Sequence, residues 1–101
     1  PGEDPLETAV RELREETGYA GDAPETLGFV YANPAIMNNK VHTTVIRNAT
    51  KQHNTQLDAG EDIATRLVAS DDVPKLICDG TISHSLMVAA LFLFQLTENA
   101  D

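Results

Sequence analysis

The stretch from Asp4 to Gly18 constrains the chain most, because signals for the start and the end of one helix occur at its two ends. Asp4 is a good N-cap, and Pro5 suits the first helical position, where no N–H is needed. Glu7, three residues after Asp4, can return a hydrogen bond to the cap. Gly18 can adopt the left-handed conformation that ends a helix, so the pattern predicts a helix from about Pro5 to about Thr17.

Two surfaces of this helix follow from its period. The residues that share one face, which we expect to be buried, are Leu6, Ala9, Val10, Leu13 and Thr17. An adjoining strip carries Glu12, Glu15 and Glu16. Two like charges at these spacings destabilise the helix by roughly 0.2–0.5 kcal/mol per pair. A bound divalent cation that prefers oxygen ligands would turn this repulsion into a net attraction. The alternative to a metal site is an acidic helix face that is simply solvated.

The segment that ends at Tyr19 resembles the Nudix box, whose pattern is G-x5-E-x7-R-E-U-x-E-E-x-G-U, with U an aliphatic or aromatic residue. Every position from the first Glu onward is matched, by Glu3 and by the run Arg11-Glu12-Leu13-Arg14-Glu15-Glu16-Thr17-Gly18-Tyr19. The leading glycine would precede Pro1. The resemblance implies an α/β (α+β) fold, a Nudix-type α/β/α sandwich with a mixed sheet. Residues 1–101 would be the C-terminal portion of a single Nudix hydrolase domain whose N-terminal strands are missing.

The same resemblance implies a pyrophosphohydrolase that depends on Mg²⁺ or Mn²⁺. Glu12, Glu15 and Glu16 would bind the metal and act in catalysis. Arg11 would orient these glutamates by charge-assisted hydrogen bonds. By helical spacing, Arg11 can pair with Glu15 and with Glu7. Glu3 would have a supporting part.

Two later positions refine the activity that the resemblance implies. Pro34 lies 16 residues after Gly18, where a proline marks Nudix enzymes that hydrolyse ADP-ribose and related ADP-sugars. Pro34 and Ala35 are therefore assigned to substrate binding, with a plain turn as the alternative. Glu61 resembles a late-loop glutamate that completes the metal site or acts as general base. The glutamate often found two residues earlier in such enzymes is Ala59 here, so the identity of the general base stays open. The alternative interpretation of Glu61 is that it belongs to a solvated acidic turn.

Runs of β-branched and aromatic residues predict strands at Glu25–Tyr31, Val41–Ala49 and Ile63–Ala69, the second paired with the first. Towards the end of the chain we expect a short helix within Ser70–Gly80. A mostly apolar helix from Ser85 to Leu96 should follow, capped by Ser83, with frayed residues beyond it. Its apolar run of about 11 residues is too short for a bilayer, which requires about 20. The histidines are expected to be structural.

The composition limits the partners. A net charge of −9 argues against a nucleic-acid backbone, and the single Cys78 cannot form an internal disulfide, which suits a cytoplasmic protein. We therefore expect no nucleic acid and no membrane, and the resemblance implies a small nucleotide-sugar substrate. The resemblance implies a homodimer for the full-length protein.

These expectations combine into one activity, the hydrolysis of a nucleoside diphosphate linked to another moiety. ADP-ribose or another ADP-sugar would give AMP and a sugar phosphate. The alternative is a Nudix-like module that binds a nucleotide sugar, or regulates another protein, without cleavage. The intact Glu12, Glu15 and Glu16 argue for the enzyme, because a pure binding site does not require a carboxylate cluster.

Overall fold

In the computed structural model, which describes residues 3–33 and 39–99, one helix is followed by four strands and then by two further helices. The helices are α1 (Pro5–Thr17), α2 (Val73–Cys78) and α3 (Ser85–Asn99), with a 3₁₀ turn at Ser70–Asp72. The strands are β1 (Tyr19–Ala20), β2 (Glu25–Tyr31), β3 (Lys40–Val45) and β4 (Thr50–Lys51). The predicted mixed α and β class is confirmed.

Helix α1 has the predicted ends. The Leu6 N–H donates to the Asp4 carboxylate at 2.9 Å, and Pro5 occupies the first turn. Gly18 ends the helix with φ 80°, and its N–H donates to the Arg14 carbonyl at 2.8 Å. The reciprocal bond predicted from Glu7 to the cap is not formed among the described residues. The cap therefore depends on Asp4 alone.

The described strands pair two by two. β2 pairs with β3, as predicted. β1 and β4, where the sequence analysis predicts no strand, form a short antiparallel pair with Tyr19 opposite Lys51. The predicted Val41–Ala49 strand is too long: the chain leaves β3 after Val45 and turns at Asn48, which has φ 55°. Asn tolerates this left-handed conformation, and its side-chain amide donates to Asp22 at 2.7 Å.

The strand predicted at Ile63–Ala69 is wrong. Residues 61–69 have no regular secondary structure, and every one of them is exposed, with Leu67 at 76%. The alternation of residues in the sequence is compatible with a strand. A strand also needs a neighbour for its backbone hydrogen bonds, and no strand in ranges 3–33 and 39–99 lies against this segment.

The C-terminal helices follow the prediction with three corrections. The short helix is a 3₁₀ turn leading into α2, and Gly80 closes it with φ 85°. His84, and not Ser83, caps α3, because its Nδ1 accepts the Leu86 N–H at 3.2 Å. The helix also continues to Asn99 instead of fraying after Leu96. Within the described ranges, no helix combines the length and apolarity needed to cross a membrane.

Contacts divide the chain into two units. The first comprises Pro1–Thr26 and Thr44–Thr65, and the second comprises Leu27–Thr43 and Arg66–Asp101. In the second unit, β2 approaches α3 at Gly28, where an added Cβ would lie 3.9 Å from Leu93 Cδ1. Of all the described residues only Gly18 is buried, and no hydrophobic side chain among them is. The predicted apolar face of α1 is thus only half covered, and Val10 is 39% exposed.

Candidate metal centre

Arg11 links the beginning of the acidic segment to its end. Its Nη1 donates to Glu15 Oε1 at 2.9 Å, the predicted i,i+4 pair, and its Nη2 donates to Glu3 Oε1 at 3.0 Å. The other predicted partner, Glu7, is replaced by Glu3, which also receives the Arg11 Nε–H. One guanidinium therefore holds two carboxylates of the motif, and its part in orienting metal-binding glutamates stays a prediction.

Glu3 is the better anchored of these two carboxylates. Hydrogen bonds from Arg11 and then from the Thr8 hydroxyl, the latter at 2.9 Å, hold the pKa of Glu3 below its usual value. The Glu3 carboxylate in turn raises the pKa of Arg11. Because this pair is exposed, its worth lies in orientation more than in stability.

The surroundings of Glu16, in the acidic strip, disfavour its charged form. Its pKa is raised, first by loss of solvent, then by the negative charges of Glu12 and Glu61 and by a hydrogen bond with Glu12. Carboxylates that crowd together favour a shared proton or a bound cation. The charge of the late-loop Glu61 thus acts on Glu16, while the assignment of these residues to one site stays a prediction.

A tight turn presents Glu61. The Glu61 N–H donates to the Asp58 carbonyl at 3.0 Å, and the Glu61 Oε1 accepts a short hydrogen bond from the Asp58 N–H. Gly60 allows this turn with φ 89°. Oε2 of Glu61 has no hydrogen-bond partner among the described residues.

Residues 52–56, here called the clamp segment, fasten the chain that leads to Glu61 onto the end of α1. The N–H groups of Gln52 and His53 both donate to the Gly18 carbonyl, at 2.8 and 3.0 Å, and the Gln56 N–H donates to the Glu15 carbonyl at 2.6 Å. The His53 carbonyl passes so close to Gly18 that a Cβ there would collide with it. The sequence analysis missed this contact, although a polar run without periodicity was visible.

The donor set suits a hard divalent cation, since it consists of carboxylate oxygens that repel one another. The described residues do not, however, bring three His, Cys, Asp or Glu side chains into a group that could hold a metal ion together. Glu15 is turned towards Arg11, while Glu12, Glu16 and Glu61 interact through their charges. Pro34 and Ala35 lie outside the described residues, so their assignment to substrate binding stays a prediction.

Comparison with known proteins places these features in context. The sequence profile described as NUDIX domain matches residues 1–89. The chain is 34% identical over 98 residues to a protein from Bacillus methanolicus named methanol dehydrogenase activator. It is 29% identical over 98 residues to a protein from Bacillus subtilis (strain 168) named ADP-ribose pyrophosphatase. Each alignment covers 96% of this chain and 53% of the relative, so the chain spans about half the length of either protein.

Proposed function

Because the chain belongs to the NUDIX domain family, we propose that it is the C-terminal portion of a Nudix hydrolase domain that cleaves a nucleoside diphosphate linked to another moiety. The observation that carries this proposal is the group of interacting carboxylates. Glu16, crowded by Glu12 and Glu61, has a raised pKa. Such a group gives little to a structural surface, but it suits the binding of a divalent cation next to a diphosphate.

The substrate we propose is ADP-ribose or another ADP-sugar, which would yield AMP and a sugar phosphate. Two observations support it. Pro34 stands at the spacing from Gly18 that is typical of Nudix enzymes for ADP-sugars. One relative of the chain carries the name ADP-ribose pyrophosphatase. Pro34 and Ala35 would contact the substrate.

Glu12, Glu15, Glu16 and Glu61 would hold Mg²⁺ or Mn²⁺. A bound cation of this kind neutralises phosphate charge and lowers the pKa of a coordinated water. Arg11 keeps Glu15 oriented from one side, and the clamp segment fixes the Glu15 backbone from the other. Glu61, held by its turn, offers Oε2 as a proton acceptor. The complete protein would be a cytoplasmic homodimer.

The second candidate is a non-catalytic module that binds a nucleotide sugar or regulates another protein. The observation that favours it is the relative named methanol dehydrogenase activator. The carboxylates favour the hydrolase. A binding module has no need of Glu16 in an environment that penalises its charge, whereas metal-assisted hydrolysis uses that property.

The test is turnover of ADP-ribose by the complete protein, with AMP release measured at millimolar Mg²⁺ and again in excess EDTA. We expect EDTA to abolish activity and kcat/KM for ADP-ribose to exceed that for ATP. Changing Glu16→Gln should lower activity roughly 10–100-fold or more, while Glu7→Gln on the same helix should not. Metal-independent AMP release, or equal activity of both variants, would contradict the hydrolytic site. A preference for ATP would refute only the ADP-sugar assignment.

A further inference from the structure

A small polar cleft lies between the last turn of α1 and the clamp segment. Its volume is about 320 Å³, and the side chains that line it are those of Arg14, His53, Asn54 and Gln56. All four residues belong to the first unit and are exposed. The backbone hydrogen bonds from the clamp segment to the end of α1 hold the two sides of the cleft together.

Arg14 is a cation without a counter-ion among the described residues. Its guanidinium forms no salt bridge and donates no hydrogen bond to any of them. The acidic residues that follow it in α1 interact elsewhere, Glu15 with Arg11 at 2.9 Å and Glu16 with Glu12. An exposed arginine is often simply hydrated, so the groups around it decide whether it belongs to a site.

The other side chains of the cleft are also hydrogen-bond donors without partners. Those of His53, Asn54 and Gln56 make no hydrogen bond to a described residue. Each carboxamide offers two N–H groups, and a neutral imidazole offers one. No carboxylate among the described residues lines the cleft. Lys51 brings a second cation to this end of α1, since its Cε lies 3.4 Å from the place of a Cβ at Gly18.

The cleft is separate from the acidic strip. Residues two positions apart lie about 160° apart around a helix, so Arg14 is on the opposite side of α1 from Glu12 and Glu16. Because the lining is polar, the burial of apolar surface gives no reason for another part of the protein to fill it.

We propose that this cleft binds a free tetrahedral oxyanion of the size of phosphate or sulfate. The guanidinium fork of Arg14 matches two oxygens of such an anion, and the carboxamides of Asn54 and Gln56 offer further donors from the clamp segment. Donors on two sides suit four oxygens better than the two of a planar carboxylate. The bound anion bridges α1 and the clamp segment, and so strengthens the junction at which Gln56 is bonded to Glu15.

The experiment measures anion binding without turnover, so its outcome is independent of the proposed hydrolysis. The complete protein, ¹⁵N-labelled and dialysed free of divalent cations, is titrated with phosphate, sulfate, acetate or chloride at matched ionic strength. The side-chain N–H signals of Arg14, Asn54 and Gln56 are followed by NMR. We expect saturable shifts with phosphate and sulfate, weaker binding of acetate, and no saturable shift with chloride. Phosphate should also slow hydrogen exchange of the Gln56 amide, because the bridge opposes local opening.

Arg14→Gln should weaken phosphate binding about 10- to 150-fold, the range for hydrogen bonds to a charged group. Arg14→Lys, which keeps the charge but loses the fork, should fall between this variant and the wild type. Arg66→Gln is the matched control, because it removes the same charge from an exposed residue outside the cleft, and it should bind like the wild type.

Unchanged phosphate affinity in Arg14→Gln, or an equal loss in Arg66→Gln, would overturn the proposal. Equal shifts with chloride would do the same, since they would report screening alone. Acetate bound as tightly as phosphate would overturn the choice of a tetrahedral anion. No shift with any anion in the complete protein, the result expected if its other half fills the cleft, would also overturn the proposal.

Discussion

At the scale of single residues, Glu16 and Glu61 are distant in the sequence but interact in the structure. They are 45 residues apart, yet the charge of Glu61 helps to raise the pKa of Glu16. The resemblance to Nudix enzymes predicts a site role for both residues, and the structure adds what orients Glu61. Its backbone and carboxylate are both tied to Asp58, which fixes the direction of the side chain.

This argument gives a test at Glu61. In the complete protein, Glu61→Gln should lower kcat by about 10²–10⁴, the usual range for a positioned proton acceptor. The amide oxygen can still accept the Asp58 N–H, so the melting temperature should change little. Asp62→Asn is the matched control in the same turn and should be milder. A crippled Asp62→Asn beside a nearly normal Glu61→Gln would show that the wrong carboxylate has been assigned.

At the scale of elements, three backbone hydrogen bonds join the end of α1 to the clamp segment. Gly18 is needed there twice, for its φ of 80° and for the close passage of the His53 carbonyl. Because Gln56 is bonded to Glu15 and Glu61 follows a few residues later, the clamp segment links the helix that carries Glu12, Glu15 and Glu16 to the loop that carries Glu61.

Replacing Gly18 separates these two needs. Gly80, which also has a positive φ of 85° but no described atom within 4 Å of an added Cβ, is the control. Gly80→Ala should lose only the cost of the left-handed conformation, about 1–2 kcal/mol of unfolding free energy. Gly18→Ala should lose more and should also lower kcat. Denaturant titration and turnover of the complete protein check this, and equal effects of the two substitutions would mean that the clamp segment is unimportant.

How much of each element could be predicted depends on where its determinants lie. Helix α1 is specified locally by Asp4, Pro5 and Gly18, so its ends were predicted to the residue. Strands depend on partners distant in sequence. The Ile63–Ala69 pattern was misassigned for that reason, and the β1–β4 pair was missed. The cap of α3 was missed because histidine is an uncommon cap, although its Nδ1 can accept the hydrogen bond.

At the scale of the whole molecule, the central fact is how little is buried. The chain is 42% hydrophobic, yet no hydrophobic residue in the described ranges is buried. Burial of apolar surface is the main favourable term in folding, at roughly 25 cal/mol per Å². It has to offset about 1–2 kcal/mol of backbone entropy per residue. The relatives, of which this chain spans about half, have sequence that could supply the missing cover.

We therefore expect residues 1–101 alone to unfold without a sharp transition and to bind a dye that reports exposed apolar surface. The complete protein should melt cooperatively under the same conditions. Calorimetry of both polypeptides, with the oligomeric state measured in parallel, makes the comparison. A sharp two-state transition of the isolated chain as a monomer would contradict the proposal that it is only part of a domain.

The unpaired segment at residues 61–69 has a consequence for how the protein is cut. Proteases bind extended, accessible backbone, and this stretch offers it, with Arg66 followed by the 76% exposed Leu67. Arg14, by contrast, lies inside the hydrogen-bonded turns of α1. Trypsin should cleave after Arg66 well before it cleaves after Arg14. Anything that lays a strand against this segment should appear as protection from that first cut.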